Sequence, residues 1–488
     1  MKSGSVIHNV VYNVIKAFAN LILPLLTYSY CARILQKDGL GKVEFARSFV
    51  AYFVMLAMLG IVNYATREAS RIRDDKAELS KFALEIIIIN FISVMGTYLI
   101  LFLMVRYIPF LHNYSMLIMI NSASVFLSAL GMEWLYNAVE DYKYIAIRTI
   151  FFQFVVFIMV ILFVHSSSDI YKYAIIMVLS STGSNVFNFI HSCKYIDYKW
   201  YKQIELKKHI KPIFALFGMT VFVQVFSNLD ITMLGIIHND VYVGLYSAAT
   251  KMVNVICSLL VAFTAVLMPR ISYYLYHNEN DSVKKLSYQA IDYLLMISVP
   301  ACLGLILLTP QIITIFSGYS FLNATLAGRI LSLRVVLSPI NTFYIVQLFI
   351  PMKKDVNCII ATGFSAFVNI VLNFLLIPHF YQSGAACATL IAEAIELVFN
   401  FYSSRHILKL KESYRNLYAY LIGCVPILLI WLGGRRVVGD SILLMIIIIP
   451  SILAYILVLK ILHIQSYEEI VERIVDKVHS RNASNFKG

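Results

Sequence analysis

Charge is what this chain has least of. Only 14% of its 488 residues are Asp, Glu, Lys or Arg, whereas 60% are hydrophobic and the mean hydropathy is +0.77. Soluble domains carry roughly 25% charged residues and about 45–50% apolar ones, so a soluble enzyme and a disordered chain are both excluded. Paired cysteines are missing as well. Cys31, Cys193, Cys257, Cys302, Cys358, Cys387 and Cys424 stand singly in or beside apolar runs, with no CxxC and no Cys/His cluster. That excludes a disulfide framework and offers no metal site. No phosphate-binding P-loop occurs, so ATP is not a direct energy source. The first apolar stretch, 6–30, is too long for a cleavable signal and lacks a small-residue cleavage pattern. It reads as a first membrane span.

What is there is a succession of apolar runs long enough to cross a bilayer, which takes ~20 residues each. They lie near 7–30, 43–66, 81–105, 114–136, 144–165, 170–193, 212–237, 243–268, 288–314, 324–350, 356–377, 382–403, 416–433 and 440–461. The expectation is an all-α polytopic membrane protein of about fourteen transmembrane helices. Strands are not expected, because an open sheet leaves its backbone unpaired in lipid. The basic residues fit this plan. With the N-terminus in the cytoplasm, inside segments hold 28 of the 40 Lys and Arg, outside loops seven, and helix interiors five. A fourfold inside excess is the positive-inside pattern and puts both termini in the cytoplasm. Most of the net charge of +13 is then topology rather than affinity for nucleic acid.

The longest basic stretch between spans, 194–211, divides the chain into 1–193 with six spans and 212–404 with six more. Two accessory spans follow in 405–462, then a tail over 463–488. In that tail Ile470, Val471, Ile474, Val475 and Val478 recur at helical spacing between charges, which suggests an amphipathic helix on the cytoplasmic membrane surface. A weak repeat supports the six-plus-six division. Asp38, Gly41, Phe45, Ala46 and Arg47 follow the first span, and Asp240, Gly244, Tyr246, Ala248, Ala249 and Lys251 follow the seventh. Repeats with a midplane site are common in transporters.

Ionisable groups inside membrane spans are costly and mark function by default. The cations are Lys16, Arg47, Lys251, Arg329 and Arg334; the acids are Asp230, Glu393 and Glu396. Their sum is +2, which suits an anionic head group. Asn9, Asn13, Lys16 and Asn20 form a stripe on one face of the first span. Such a stripe either lines a polar cavity or bonds neighbouring helices. Arg47 and Lys251 either face a cavity or snorkel to the interface, and Arg329 is close enough to its helix end to snorkel. Arg334, about ten residues into its span, is the cation best placed for function. Asp230 either pairs with an arginine of the tenth span or binds a proton or sodium ion. Glu393 and Glu396 are one turn apart and serve either coupling or structural pairing. Trp134 is expected in an interfacial aromatic belt.

Four blocks carry a family resemblance: ARILQKDGLGKVEFARSFVAYFVMLAMLGIVNYATREASRIRD (32–74), GMEWLYNAVEDYKYIAIRTIFFQ (131–153), MLGIIHNDVYVGLYSAATKM followed by MPRIS (233–272), and NIVLNFLLIPHFYQSGAACATLIAE (369–393). In this order they resemble bacterial polysaccharide flippases, which move O-antigen or capsule repeat units. That family belongs to the multidrug/oligosaccharidyl-lipid/polysaccharide exporter superfamily. The resemblance implies two MATE-like six-helix lobes around a central cavity that work by alternating access. It also implies a substrate, an undecaprenyl-diphosphate-linked oligosaccharide carried from the cytoplasmic to the outer leaflet of the inner membrane. Polysaccharide polymerase and chain-length machinery are the implied partners. No cofactor is expected beyond a proton or sodium gradient. Many members have twelve helices, so the pair at 416–461 is a departure. On this reading Lys16, Arg47, Lys251 and Arg334 hold the diphosphate, and Asn9, Asn13 and Asn20 meet sugar. Two other readings stay open. A multidrug or cation antiporter of the same fold would show an acidic cavity. A polysaccharide polymerase or ligase would carry a large external loop with a catalytic constellation, and neither is seen here.

Overall fold

The computed structural model describes the backbone over residues 3–198, 204–265, 267–409, 414–435 and 440–469, with residues 412 and 472. Side chains are described from residue 22 onward, except at 219, 355 and 440–445. The described residues are helical with no strand, as expected where every backbone group must be satisfied within its own segment.

The chain begins with α1 (Ser3–Met58), α2 (Ile61–Ile72) and α3 (Lys76–Tyr107). After the single turn α4 (Pro109–His112) come α5 (Ser115–Leu130), α6 (Glu133–Ala138), α7 (Tyr142–Phe163), α8 (Ile170–Val178) and α9 (Ser184–Ser192). Next are α10 (Lys207–Ile237), α11 (Asp240–Ala265), α12 (Met268–Tyr276) and α13 (Asn280–Ser317). The rest is α14 (Thr325–Ser332), α15 (Arg334–Thr342), α16 (Asp355–Ser404), α17 (Leu417–Gly434) and α18 (Asp440–Ile461).

Among the described residues ten helices are long and apolar enough to cross a membrane, or eleven if a pair bent by 46° around Leu333 counts as one. Two of the ten are far too long for one crossing, at 51 residues (Ile22–Ile72) and 49 residues (Val356–Ser404). A 50-residue helix at ~1.5 Å per residue runs about 75 Å, against a hydrocarbon core of about 30 Å. Each carries a break. Gln36 in α1 has φ 59° and Tyr381 in α16 has φ 52°, both outside the helical region.

α3 and α7 are among the most apolar spans, yet their side chains are mostly exposed, as at Phe91, Ile92, Leu99, Phe102, Phe151 and Phe154. In water such a surface would aggregate; here hydrocarbon is the solvent. The amphipathic helix expected from Ile464 to Val478 falls largely outside the described residues, as do residues 199–203 of the basic linker.

By packing, the described chain forms two units. The first gathers 1–248, 316–321 and 366–385, and the second 249–315, 322–365 and 386–488. In the first unit a compact apolar cluster joins Ile61, Tyr64, Phe82, Trp134, Leu135 and Ile213. Trp134 is 1% exposed and meets Phe82 edge-on at 5.7 Å. It is a core residue, not part of an interfacial belt: the left-handed turn at Met132 aims α6 back into the bundle. A buried Glu85 binds His209 at 2.7 Å, and His209 meets Tyr64 at 2.7 Å, tying the foot of α10 to α2 and α3.

The starts of the two sequence repeats touch inside this unit. A Cβ placed on Gly41 would collide with the backbone oxygen of Asp240, and one on Gly244 with the backbone oxygen of Lys37. Only glycine lets two helix backbones approach this closely.

Candidate functional site

In the second unit the polar site grows from a broken helix. α14 and α15 meet at Leu333, and a π-helical segment, Phe343–Phe349, follows α15. Broken helices within membrane proteins are tolerated where they line a cavity or are buried in protein. Arg334 is the first residue after the break. Its Nε and Nη2 donate to Glu393 Oε1 at 2.9 and 2.7 Å, and its Nη1 reaches Asn254 Oδ1 at 3.4 Å. The pair is buried, with 13% of the Arg334 side chain and 4% of the Glu393 side chain exposed. Asn341 donates to the Glu393 carbonyl at 2.9 Å and accepts from Asn400 at 3.1 Å, so α15 and α16 are joined by an unbroken polar chain. Glu393 is thus ion-paired with Arg334. Glu396 separates from Glu393 and accepts from Thr362 at 3.0 Å.

Lys251 and Asn254 lie one turn apart on α11, the lysine half-buried and the asparagine exposed. Arg329 is exposed and donates from Nε to the Ile306 carbonyl at 3.2 Å, the geometry of a side chain anchored near its helix end. The opposite side of α11 turns Ile256 toward an apolar cavity of about 760 Å³. Leu305 and Leu308 of α13, Trp431 of α17 and Ile452 and Tyr455 of α18 share its walls. The two accessory helices thus build an apolar chamber.

In the first unit Arg47 pairs with Glu44, one turn earlier on α1. Glu44 is 2% exposed and belongs among the acids inside helices. Asp230 on α10 is buried and accepts from Tyr246 Oη, from Asn369 Nδ2 at 3.3 Å and from Asn373 Nδ2 at 2.7 Å. Asn373 also donates to Asn369 Oδ1 at 3.1 Å, while its own Oδ1 is buried with no hydrogen-bond partner. α10, α11 and α16 converge on this carboxylate. The side chains of Asn9, Asn13, Lys16 and Asn20 lie outside the described residues.

Sequence reasoning missed Glu44, Asn254, Asn341 and the Asn369–Asn373 pair. A signal existed for the last: two asparagines at i and i+4 in an apolar run share one helix face, and such a pair does not face lipid. Glu44 stands second in the expected 43–66 span, too near its start to be counted among the acids well inside helices. Among the described residues no three His, Cys, Asp or Glu side chains gather as a metal site.

A family model described as "Polysaccharide biosynthesis protein" matches residues 6–275. The chain is 24% identical over 395 residues to a "Putative O-antigen transporter" of Escherichia coli K12, covering 79% of this chain and 94% of that protein. It is 22% identical over 214 residues to "Probable low-salt glycan biosynthesis flippase Agl15" of Haloferax volcanii, covering 44% of this chain and 45% of that protein. Among solved structures, the lipid II flippase MurJ in an inward closed conformation superposes with a TM-score of 0.78 at 17% identity, covering 95% of this chain and 100% of that one. An inward-facing multidrug resistance MATE family transporter gives 0.60 at 13% identity, covering 79% of this chain and 94% of that one. The fold is that of this exporter superfamily.

Proposed function

Because the chain belongs to the polysaccharide biosynthesis protein family, we propose that this multi-pass membrane protein is a flippase. It carries undecaprenyl-diphosphate-linked oligosaccharide repeat units from the cytoplasmic to the outer leaflet of the bacterial inner membrane. The observation that carries the reading is the meeting of two chemistries on α11. Lys251 and Asn254, with Arg334, make a polar face, while Ile256 lines an apolar cavity of about 760 Å³. An amphiphile asks for both. Each unpaired sugar hydroxyl costs roughly 2–7 kcal/mol in an apolar medium, so the head needs polar walls. The isoprenoid tail needs carbon. The names of the Escherichia coli O-antigen transporter and of the lipid II flippase support the same substrate class.

In this proposal two six-helix lobes alternate access, and α1 and α16 each supply two of fourteen crossings by turning at Gln36 and Tyr381. Arg47, Lys251, Arg334 and Lys16 hold the diphosphate, and Asn9, Asn13 and Asn20 meet sugar. A proton or sodium gradient drives the cycle, with Asp230 and its asparagines taking the ion and Glu396 the second candidate. Polymerase and chain-length machinery receive the product.

The test is a proteoliposome loaded with lipid-linked oligosaccharide, in which head groups reaching the far leaflet are counted by an impermeant lectin. Lys251→Ala and Arg334→Ala are expected to slow transfer at least tenfold at equal protein level, and full activity in both overturns the assignment. Imposed proton and sodium gradients in the same vesicles test the drive, and indifference of Asp230→Asn to both removes Asp230 from it.

A further inference from the structure

The first unit holds a polar cavity that the transport residues above do not line. Its volume of about 510 Å³ lies within the ~300–1,000 Å³ of small-ligand sites. α1, α5, α7 and α9 wall it, together with the π-helical turn Leu179–Gly183 between α8 and α9.

Three observations converge there. Arg148, counted by the sequence among topology residues, enters the cavity from the first turns of α7. One of its Nη groups donates to Asn188, whose amide donates to the Gly131 carbonyl at 2.7 Å. Its Nε is buried with no hydrogen-bond partner. Second, in the π turn the hydroxyls of Ser181 and Thr182 both donate to the Val178 carbonyl oxygen, at 3.2 and 2.9 Å. Ser180 is left facing the cavity. π-Helical turns recur at functional sites. Third, Gln153 and Asn185 line the same space and bond no other side chain or backbone group among the described residues. Both are half-buried at the cavity wall, so their amides are open to a ligand in it.

The charge identifies what it takes. Arg148 and Glu133 both line the cavity, one of each sign, and attract each other across it. A phosphate would call for an excess of cations and a drug cation for an excess of acids. Balanced charge with two amides and several hydroxyls is suited to reading vicinal hydroxyls, each of which both donates and accepts. Phe152 adds a ring face for the carbon side of a sugar. We propose that this cavity is a saccharide site that holds one uncharged pyranose ring. It rests on the flippase reading for the source of that sugar, and its role there is to read the repeat unit rather than to carry its phosphates.

The full-length protein in nanodiscs is probed by saturation-transfer NMR with the methyl glycosides of glucose, galactose, mannose, rhamnose and N-acetylglucosamine. At least one is expected to bind, and Gln153→Leu and Asn185→Leu are each expected to weaken it at least tenfold with an unchanged unfolding temperature. Ser180→Ala serves if either leucine variant fails to fold. No binding by any glycoside, or equal binding in the variants, overturns the proposal. The two readings fail separately. Glycoside binding without glycolipid transfer removes the flippase reading and leaves the site. Transfer at wild-type rate in cavity variants that bind no glycoside removes the site's role in reading the repeat unit and leaves the flippase.

Discussion

Arg334 shows how much a single residue resists being read alone. Its cost in an apolar run marks it as functional in the sequence, but the sequence cannot show that Glu393 sits 2.7 Å from it. Breaking a buried pair by removing one partner costs about 3–5 kcal/mol, whereas neutralising both costs little. Arg334→Gln is therefore expected to lower the unfolding temperature sharply, and Glu393→Gln added to it to restore most of the loss. Transport stays low in the double variant if Arg334 also meets phosphate. Thermal unfolding and the flipping assay, run on the same three proteins, check this. The same asymmetry explains what was legible. Cations in apolar runs are conspicuous because desolvation is a local property, whereas their partners come from tertiary packing, as Glu44 under Arg47 and Asn373 against Asp230 do. Trp134 was misread for the same reason, since burial at a helix foot depends on where the left-handed Met132 sends the chain.

At the level of elements, the apolar periods locate the helices well but not their breaks. Nothing in the run around Gln36 announces φ 59° and ψ 179°, a conformation open almost only to glycine. Gln36→Gly is expected to raise stability by about 1–3 kcal/mol, the usual size of such strain, and Gln36→Val to lower it. Chemical denaturation in detergent measures both. The Gly41–Gly244 approach gives the opposite sign. Gly41→Ala or Gly244→Ala forces backbones apart and is expected to cost about 1–3 kcal/mol. Gly96→Ala, where a Cβ meets nothing within 4 Å, is expected to stabilise by about 0.4–1 kcal/mol through the unfolded chain. Gly41 and Gly244 each stand a few residues after the acid of the sequence repeat, so the pattern was visible but the contact was not.

For the whole molecule, composition settled the solvent before any motif was considered. The exposed phenylalanines of α3 and α7 make sense only against hydrocarbon. The basic bias predicts an orientation that fusions test. Alkaline phosphatase is expected to be active when fused after residue 110 or 167 and inactive after 74 or 205, and a C-terminal fluorescent protein is expected to fold and fluoresce. One inverted pair overturns the crossing order. The glycine seam reaches further than the stability of one chain. Gly41 touches Asp240 and Gly244 touches Lys37, so each repeat offers its neighbour what the neighbour offers it, which is the reciprocity of a two-fold dimer interface. Polypeptides 1–203 and 204–488 made separately are expected to associate through this seam, and Gly41→Ala or Gly244→Ala to weaken their co-purification.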